Sequence, residues 1–587
     1  MSLQDALAAI VATPCPAGER LHRLLRATWD WEMAEFPERA TWNGVPGHDH
    51  RWSDRSRAAI ERRRGELAAP LEAVRTLTVG QLSAADVLNR DLFLQECEQS
   101  IEEARWPFEL LCLSQMDGVH QDPAQLLAAA PATSAADRGN LLARLLTLPT
   151  LIDQTIELLR EGLARGVTPP QVVLRDVPRQ VAQLLEGPAR ETPLLAPYVA
   201  AARHADGGPS GRGAETAGGR FLAEAERAFA AVVRPALERL HEFVARRYVP
   251  GARTTTGWRD LPDGEAWYAF KVREQTTTRL TPREIHAIGL EEVARIGAAM
   301  DAARRDSGFT GDFAAFCDFL RTDPRFYCTS PEQLLREFRD LCKRVDPQLP
   351  RLFRRLPRLP YGVCEVPAFS AESQTMAYYL PGSPEAGRPG WFFANTSKLD
   401  SRARWEFEAL ALHEAVPGHH LQIALAQELD LPEFRRHGGC NAYVEGWALY
   451  SEALGHEMGF YADPYSRFGQ LSYEMWRAIR LVVDTGLHAL GWTRQQAIDF
   501  FAAHTGKPLH DITVEVDRYL VWPAQALSYK IGELAIWRMR RAAEQSLGAN
   551  FDLRGFHDEL LGEGALPLEL LDARMAAWIE RRRASSG

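Results

Sequence analysis

Apolar residues recur at three- and four-residue spacing along most of this chain, and that period leaves little room for anything but helices. Residues 85–105 (ADVLNRDLFLQECEQSIEEAR), 139–165 and 221–247 read as helices, with Pro235 predicting a break or kink in the last. Strand signals are few. MAYYLP at 376–381 and GWFFANT at 390–396 are short aromatic runs separated by GSPEAGR, a hairpin-like pattern with a loose loop. The expected fold is mainly α, with a small antiparallel β-sheet beside a long cleft. One segment contrasts with the rest: DGGPSGRGAETAGG, 206–219, is Gly-rich and small, and reads as a flexible loop or linker. It would divide an N-terminal helical part, 1–205, from a C-terminal part, 220–587, that holds nearly all the candidate chemistry. The alternative is a surface insertion within one continuous domain.

The 587 residues can bury a large core without staples, and 46% hydrophobic with 25% charged residues is an ordinary globular profile. A formal net charge of −10 argues against a dedicated nucleic-acid binder or a polybasic membrane binder. No run of 18 apolar residues occurs, so no membrane span is expected. The eight cysteines are never closer than eleven positions, which excludes a C-x-x-C pair and fits a reducing compartment. The opening MSLQDALAAIVATPCP lacks a basic n-region and is interrupted by Asp5, so no secretory signal is expected. A cytoplasmic enzyme, monomer or homodimer, is the default class.

The strongest chemical signal is ALHEAVPGHHLQ, 411–422, which places His413, Glu414, His419 and His420 in an apolar helical run. Buried His and Glu at this density are unfavourable unless paired or metal-bound. The H-E-x-x-H zinc pattern is not met, because Pro417 stands four residues after His413. The next histidines are six and seven residues on, about 9–10.5 Å along a straight helix. Two imidazoles cannot easily share one zinc across that gap at about 2.0–2.1 Å each. Pro417 has no N–H for the carbonyl of residue 413, and Gly418 adds backbone freedom. The helix is therefore expected to open between Ala415 and Gly418, bringing His419 or His420 back beside His413.

HEAVPGHHLQ resembles the signature of a bacterial domain-of-unknown-function family, number 885. The resemblance continues through PERATWNGVPG, GRPGWFFANT, NAYVEGWALYSE, RLVVDTGLHALGW and VDRYLVWPAQALSYKIGEL, most of the chain. That family is similar in fold to carboxypeptidase Taq-type zinc peptidases, which are gluzincins. The resemblance implies that HEAVPGH is an H-E-x-G-H motif with two extra residues. It makes His413 and His419 metal ligands, with His420 as the alternative, and Glu414 the general base. It also selects Glu445, 32 residues after His413, as the carboxylate ligand, with Glu452 as fallback. Three protein ligands and an open position make a catalytic site for one Zn2+, or Mn2+ or Co2+.

Two further clusters stand out. Arg480, Asp484 and His488 recur every four residues and share a helical face, either as an ion-pair ladder or with His488 held by Asp484 and aimed at the substrate. Arg518, Tyr519, Gln525, Tyr529 and Lys530 form the other. Related gluzincins stabilise the oxyanion with Tyr or Arg from a late helix, which makes Arg518, Tyr519 and Tyr529 candidates. The segment 390–396 reads as an edge strand beside the cleft, where Asn395 would fix a substrate backbone. Cys364 and Cys440 read as packing residues. The expected function is zinc-dependent hydrolysis of a peptide or small amide. The alternatives are a metalloenzyme of the same fold acting on a non-peptide small molecule, or a binding protein with a relic site.

Overall fold

The structure is a computed structural model and describes residues 2–206, 216–367, 371, 375–384 and 387–586. The described residues are mostly helical, as the apolar period requires, with a small sheet of three strands. The chain divides into two compact units, Met1–Thr256 with Pro432–Phe434, and Gly257–Leu431 with Arg435–Gly587.

In the first unit, the helix Ala135–Arg165 opens on a capping box between Ser134 and Asp137 and ends at left-handed Gly166. The periodic stretch 221–247 is not one α-helix. A π-helical turn, Phe229–Val233, precedes the helix Arg234–Phe243, and this irregular turn accommodates the missing N–H of Pro235. Leu21, Leu24, Leu25, Val74 and Phe93 anchor the core of this unit. The Gly-rich stretch does not mark the unit boundary, which falls between Thr256 and Gly257. The flanking helices Ala196–Ala205 and Ala217–Ala228 pack on each other within the first unit. Residues 207–215 of the stretch lie outside the described residues.

In the second unit the relevant helices are α1 (Pro282–Asp306), α2 (Pro331–Val345), α3 (Phe407–Glu414), α4 (His419–Gln427), α5 (Asn441–Ala453), α6 (Pro464–His488), α7 (Leu509–Val521) and α8 (Ser528–Leu547). Asp463 caps α6 by accepting the backbone N–H groups of Tyr465 and Ser466, with Pro464 in the first turn. Every α6 residue from Arg477 to His488 is buried, so its polar side chains must find partners inside the protein. α1 packs along α6, and α5 packs along α8. At the α5–α8 contact a Cβ on Gly532 would stand 1.8 Å from the Ala442 carbonyl oxygen, and one on Gly446 would stand 2.5 Å from the Gly532 backbone. These helices meet backbone to backbone, which only glycine allows.

The sheet lies between α2 and α3 in sequence: β1 (Tyr361–Glu365), β2 (Ala377–Leu380) and β3 (Gly390–Ala394), in the order β1-β3-β2. β2 and β3 pair antiparallel, but β1 pairs parallel to β3, so the sheet is mixed rather than antiparallel. The expected edge strand is also corrected, because 390–394 is central and β1 and β2 are the edges. Gly390, Phe392 and Ala394 face inward, and Phe392 packs edge-on against Phe338 of α2 at 5.0 Å between ring centres. Phe338 in turn stacks on Phe407 of α3. The sheet is thereby fastened to the helix that leads into the His-rich motif.

Candidate metal centre

α3 stops at Glu414 and α4 starts at His419, so helical geometry is interrupted over Ala415–Gly418. The Val416–Pro417 peptide is cis. The chain turns back tightly enough that a Cβ at Gly418 would stand 1.9 Å from the His413 carbonyl oxygen. The carbonyl of Pro417, freed by the break, accepts a hydrogen bond from the Trp447 indole at 2.9 Å. The break brings the rings of His413 and His419 to 4.8 Å between centres, nearly perpendicular.

Glu445, on α5, completes a triad. Its Oε2 lies 3.8 Å from Nε2 of His413 and 3.5 Å from Nε2 of His419. One donor atom from each of these residues falls within 4.8 Å of the others. Donors about 2 Å from a common tetrahedral zinc would be separated by a little over 3 Å, so small side-chain adjustments close the site. Glu445 Oε2 is buried without a hydrogen-bond donor, which a cation would satisfy. The donor set, two imidazoles and a carboxylate, suits zinc.

Burial pushes the Glu445 carboxyl up, but the His419 ring and the Tyr529 hydroxyl more than offset this, leaving it below its usual value. Burial pulls His419 down, yet Glu445 and Glu414 together raise it above its usual value. His413 is held well below its usual value by burial and by His419 and the arginines of α6, which favours the neutral ring that a cation would need. Its Nδ1 lies 2.8 Å from Glu452, fully buried two turns beyond Glu445 on α5. Glu452 lies outside the triad and is the partner that fixes the His413 ring. Burial pushes its carboxyl up to about 8, against the pull of Arg477, which approaches to 3.4 Å. Glu414 stands beside the triad, 8% exposed, with its carboxyl pushed up to about 6 by burial against the pull of His419. The Tyr379 backbone N–H on β2 is turned toward it.

His420 is not brought into the triad. Its Nε2 donates to the Leu359 carbonyl at 3.0 Å, and its Nδ1 accepts from the Tyr379 hydroxyl at 2.9 Å. His488 is also placed elsewhere. Its Nδ1 accepts from the Trp258 backbone N–H at 3.2 Å and its Nε2 donates to the Tyr519 carbonyl at 3.0 Å. Asp484 does not hold it, but accepts from the Tyr268 hydroxyl and the Ala524 N–H. The four-residue spacing aligns Arg480, Asp484 and His488 on one face, but each turns to a different partner, so neither the ladder nor the catalytic histidine forms. Asn395 is likewise corrected. Its amide donates to the Ala371 and Thr375 carbonyls and accepts from Ser397, which leaves no free group for a substrate.

The late helices divide the oxyanion candidates. Tyr519 is fully buried and donates to Glu515 at 2.7 Å. Arg518 forks onto Glu515 and donates to Gln525. Tyr529 is partly exposed, lies against Glu445 and has Arg480 over its ring at 4.5 Å. Lys530 is enclosed by Glu292, Glu474 and Glu533 at 3.0, 2.7 and 2.6 Å and is structural. Glu515 serves two guanidinium groups at once, since Arg480 also binds it at 2.8 Å. This leaves a positive surplus beside the triad, and Arg480 Nη1 is buried without an acceptor.

The profile of the family described as "Bacterial protein of unknown function (DUF885)" matches residues 37–575. The chain belongs to this family. Over 96% of its length, and 99% of the other chain, this DUF885 protein is similar to the crystal structure of a "putative lipoprotein" from Colwellia psychrerythraea, at 27% identity and a TM-score of 0.90. A "putative lipoprotein of unknown function" from Shewanella oneidensis shares the fold at 18% identity and a TM-score of 0.68, over 95% of this chain and 99% of that one. No curated protein matches this DUF885 chain. No helix among the described residues is long and apolar enough to cross a membrane.

Sequence reasoning missed the roles of Glu452, Arg477, Glu515 and Tyr379. Glu452 carried a usable signal, because seven residues from Glu445 is two helical turns on the same face. Tyr379 carried none, since only the sheet brings it to the histidines.

Proposed function

We propose that this protein is a metal-dependent hydrolase of the gluzincin kind, acting on a peptide or small amide with one zinc held by His413, His419 and Glu445. The observation that carries the reading is the buried Glu445 Oε2, which lacks a donor and faces Nε2 of both histidines. A metal bound there would supply Lewis acidity toward a carbonyl and acidify water. The chain supplies the rest. Glu414, its carboxyl pushed up to about 6, is suited to accept a proton from the attacking water and deliver it to the leaving amine. Tyr529 is the hydroxyl best placed to donate to the developing oxyanion, with Arg480 behind its ring. Glu452 keeps the His413 ring turned toward the centre.

The positive surplus at Arg480 and Arg518 supports a substrate that presents a carboxylate, as a terminal peptide does. The eight free cysteines support a cytoplasmic location, which cell fractionation tests.

The deciding experiment is a peptide-library digest by zinc-loaded wild type and Glu414→Gln. Glu414→Gln should bind zinc to near stoichiometry and lose at least ~10²-fold in hydrolysis. Bound zinc without cleavage of any peptide favours a non-peptide substrate, a reading motivated by the two-residue expansion of the motif. Absence of zinc binding after zinc addition would overturn the metalloenzyme reading.

A further inference from the structure

The third histidine of the motif, His420, is left without a role by the ligand set, yet it is buried and every polar atom of its ring is engaged. Its Nε2 faces the Leu359 carbonyl oxygen at 3.0 Å, and because that oxygen can only accept, Nε2 carries the hydrogen. Nδ1 of the neutral ring is then the acceptor, and the Tyr379 hydroxyl donates to it at 2.9 Å. The ring of Tyr361 lies 4.6 Å away, centre to centre. A Cβ on Gly390 would stand 2.8 Å from His420 Nδ1 and 2.4 Å from the Tyr379 oxygen, so only glycine leaves room for this pair. One imidazole on α4 therefore touches β1 through Tyr361, β2 through Tyr379 and β3 at Gly390.

Tyr379 carries this fastening to the metal centre. Its ring lies nearly parallel to that of His419, 6.5 Å between centres. Its backbone N–H is turned toward Glu414. We propose that His420 is a positioning residue: it locks the three-stranded sheet to α4 through Tyr379, and so sets both the ring of the ligand His419 and the edge strand that faces Glu414. The two adjacent histidines divide the work, His419 toward the centre and His420 toward the sheet. The proposal rests on the hydrolase reading only in treating Glu414 as the base and His419 as a ligand.

The test uses the full-length protein and four variants: His420→Ala, His420→Gln, Tyr379→Phe and His419→Ala. His420→Gln keeps an amide donor that can reach Leu359, but its flexible chain no longer fixes an acceptor at the Nδ1 position facing Tyr379. Zinc content should stay near stoichiometric in both His420 variants and in Tyr379→Phe, and be lost in His419→Ala. Amide hydrogen exchange over 377–380 should rise at least ~10-fold in His420→Ala, and less in His420→Gln and Tyr379→Phe, while exchange in α6 and α8 is unchanged. In cobalt-loaded protein, the visible d–d band should shift in both His420→Gln and Tyr379→Phe, because the environment of His419 changes. These readouts need no substrate, so the proposal can fail while the hydrolase reading stands, and the reverse. Tyr379→Phe, which removes one oxygen, keeps the test available if His420→Ala does not fold. Unchanged exchange over 377–380 in His420→Gln and Tyr379→Phe, an unshifted cobalt band, or exchange rising equally everywhere would overturn the proposal. So would loss of zinc in His420→Gln with retention in His419→Ala.

Discussion

Nδ1 of His413 lies 2.8 Å from Oε1 of Glu452, and neither residue has meaningful contact with solvent. The remaining ring nitrogen, Nε2, is thus the one left to face Glu445 and His419. This pairing gives a buried acidic side chain a use, since it fixes the orientation of the His413 ring within the candidate centre.

Replacing Glu452 by Gln should therefore weaken zinc binding by about 10–100-fold. Competition against a chromophoric chelator measures this directly. The apo protein should melt at or above the wild-type temperature, because a carboxyl that burial pushes up to about 8 has been removed. Unchanged zinc affinity would reduce Glu452 to a packing residue.

The two tyrosines of the late helices should separate cleanly. Tyr529→Phe is expected to lower turnover by about 10²–10³-fold with zinc content intact, as for loss of an oxyanion donor. Tyr519→Phe should leave turnover within a few-fold of wild type and destabilise the fold by about 1–2 kcal/mol, since its hydroxyl serves only Glu515 and Arg480 in the interior. Steady-state kinetics beside urea unfolding distinguishes them, and the opposite pattern would exchange their roles.

Arg480 has a guanidinium nitrogen buried without an acceptor. A peptide ending in a free carboxylate should be cleaved at least ~10-fold better, in kcat/KM, than the same peptide amidated at its end. Arg480→Lys should erase most of that preference, because the forked geometry is lost. Equal cleavage of both peptides would assign the surplus charge to stability alone.

Stability should fall on acidification through His557, which is distant in role from the metal residues. Its ring is fully buried, donates from Nδ1 to the Leu352 carbonyl and accepts at Nε2 from Tyr450. Burial pulls it down to about 3, against 6.5 when unfolded. The unfolded chain takes up the extra proton first as pH drops. This contribution is therefore complete above pH 6.5, fades below it, and amounts to a loss of about 2 kcal/mol by pH 5. Unfolding free energies from urea titrations at pH 7.5 and 5 should differ by that much less in His557→Gln than in wild type.

The features legible in the sequence are those with local causes. Pro417 and Gly418 announce the break between α3 and α4, and the helical period announces the fold class. The antiparallel pairing of β2 with β3 follows from two aromatic runs close together. β1 escaped because its parallel partner lies some 29 positions away, and a five-residue strand, YGVCE, has little alternation to show. The same limit applies to Arg480, Asp484 and His488. Their shared face follows from spacing, but their partners, Glu515, Tyr268 with Ala524, and Trp258 with Tyr519, come from other segments and leave no trace in the helix itself. Choosing Glu445 over Glu452 also needed more than spacing, because both lie on one face of α5.

The glycine seam between α5 and α8 bears on how this centre can vary. Glu445 precedes Gly446 directly, and Tyr529 stands three positions before Gly532, so the carboxylate of the triad and the hydroxyl beside it are mounted on either side of the seam. With no side chain between the helices there is no residue whose size can be tuned to move one relative to the other. A methyl group at Gly446 or Gly532 would wedge both mounts apart together. Any retuning of the centre that leaves this seam in place has to come from other residues, because the spacing of Glu445 and Tyr529 is set by backbone meeting backbone.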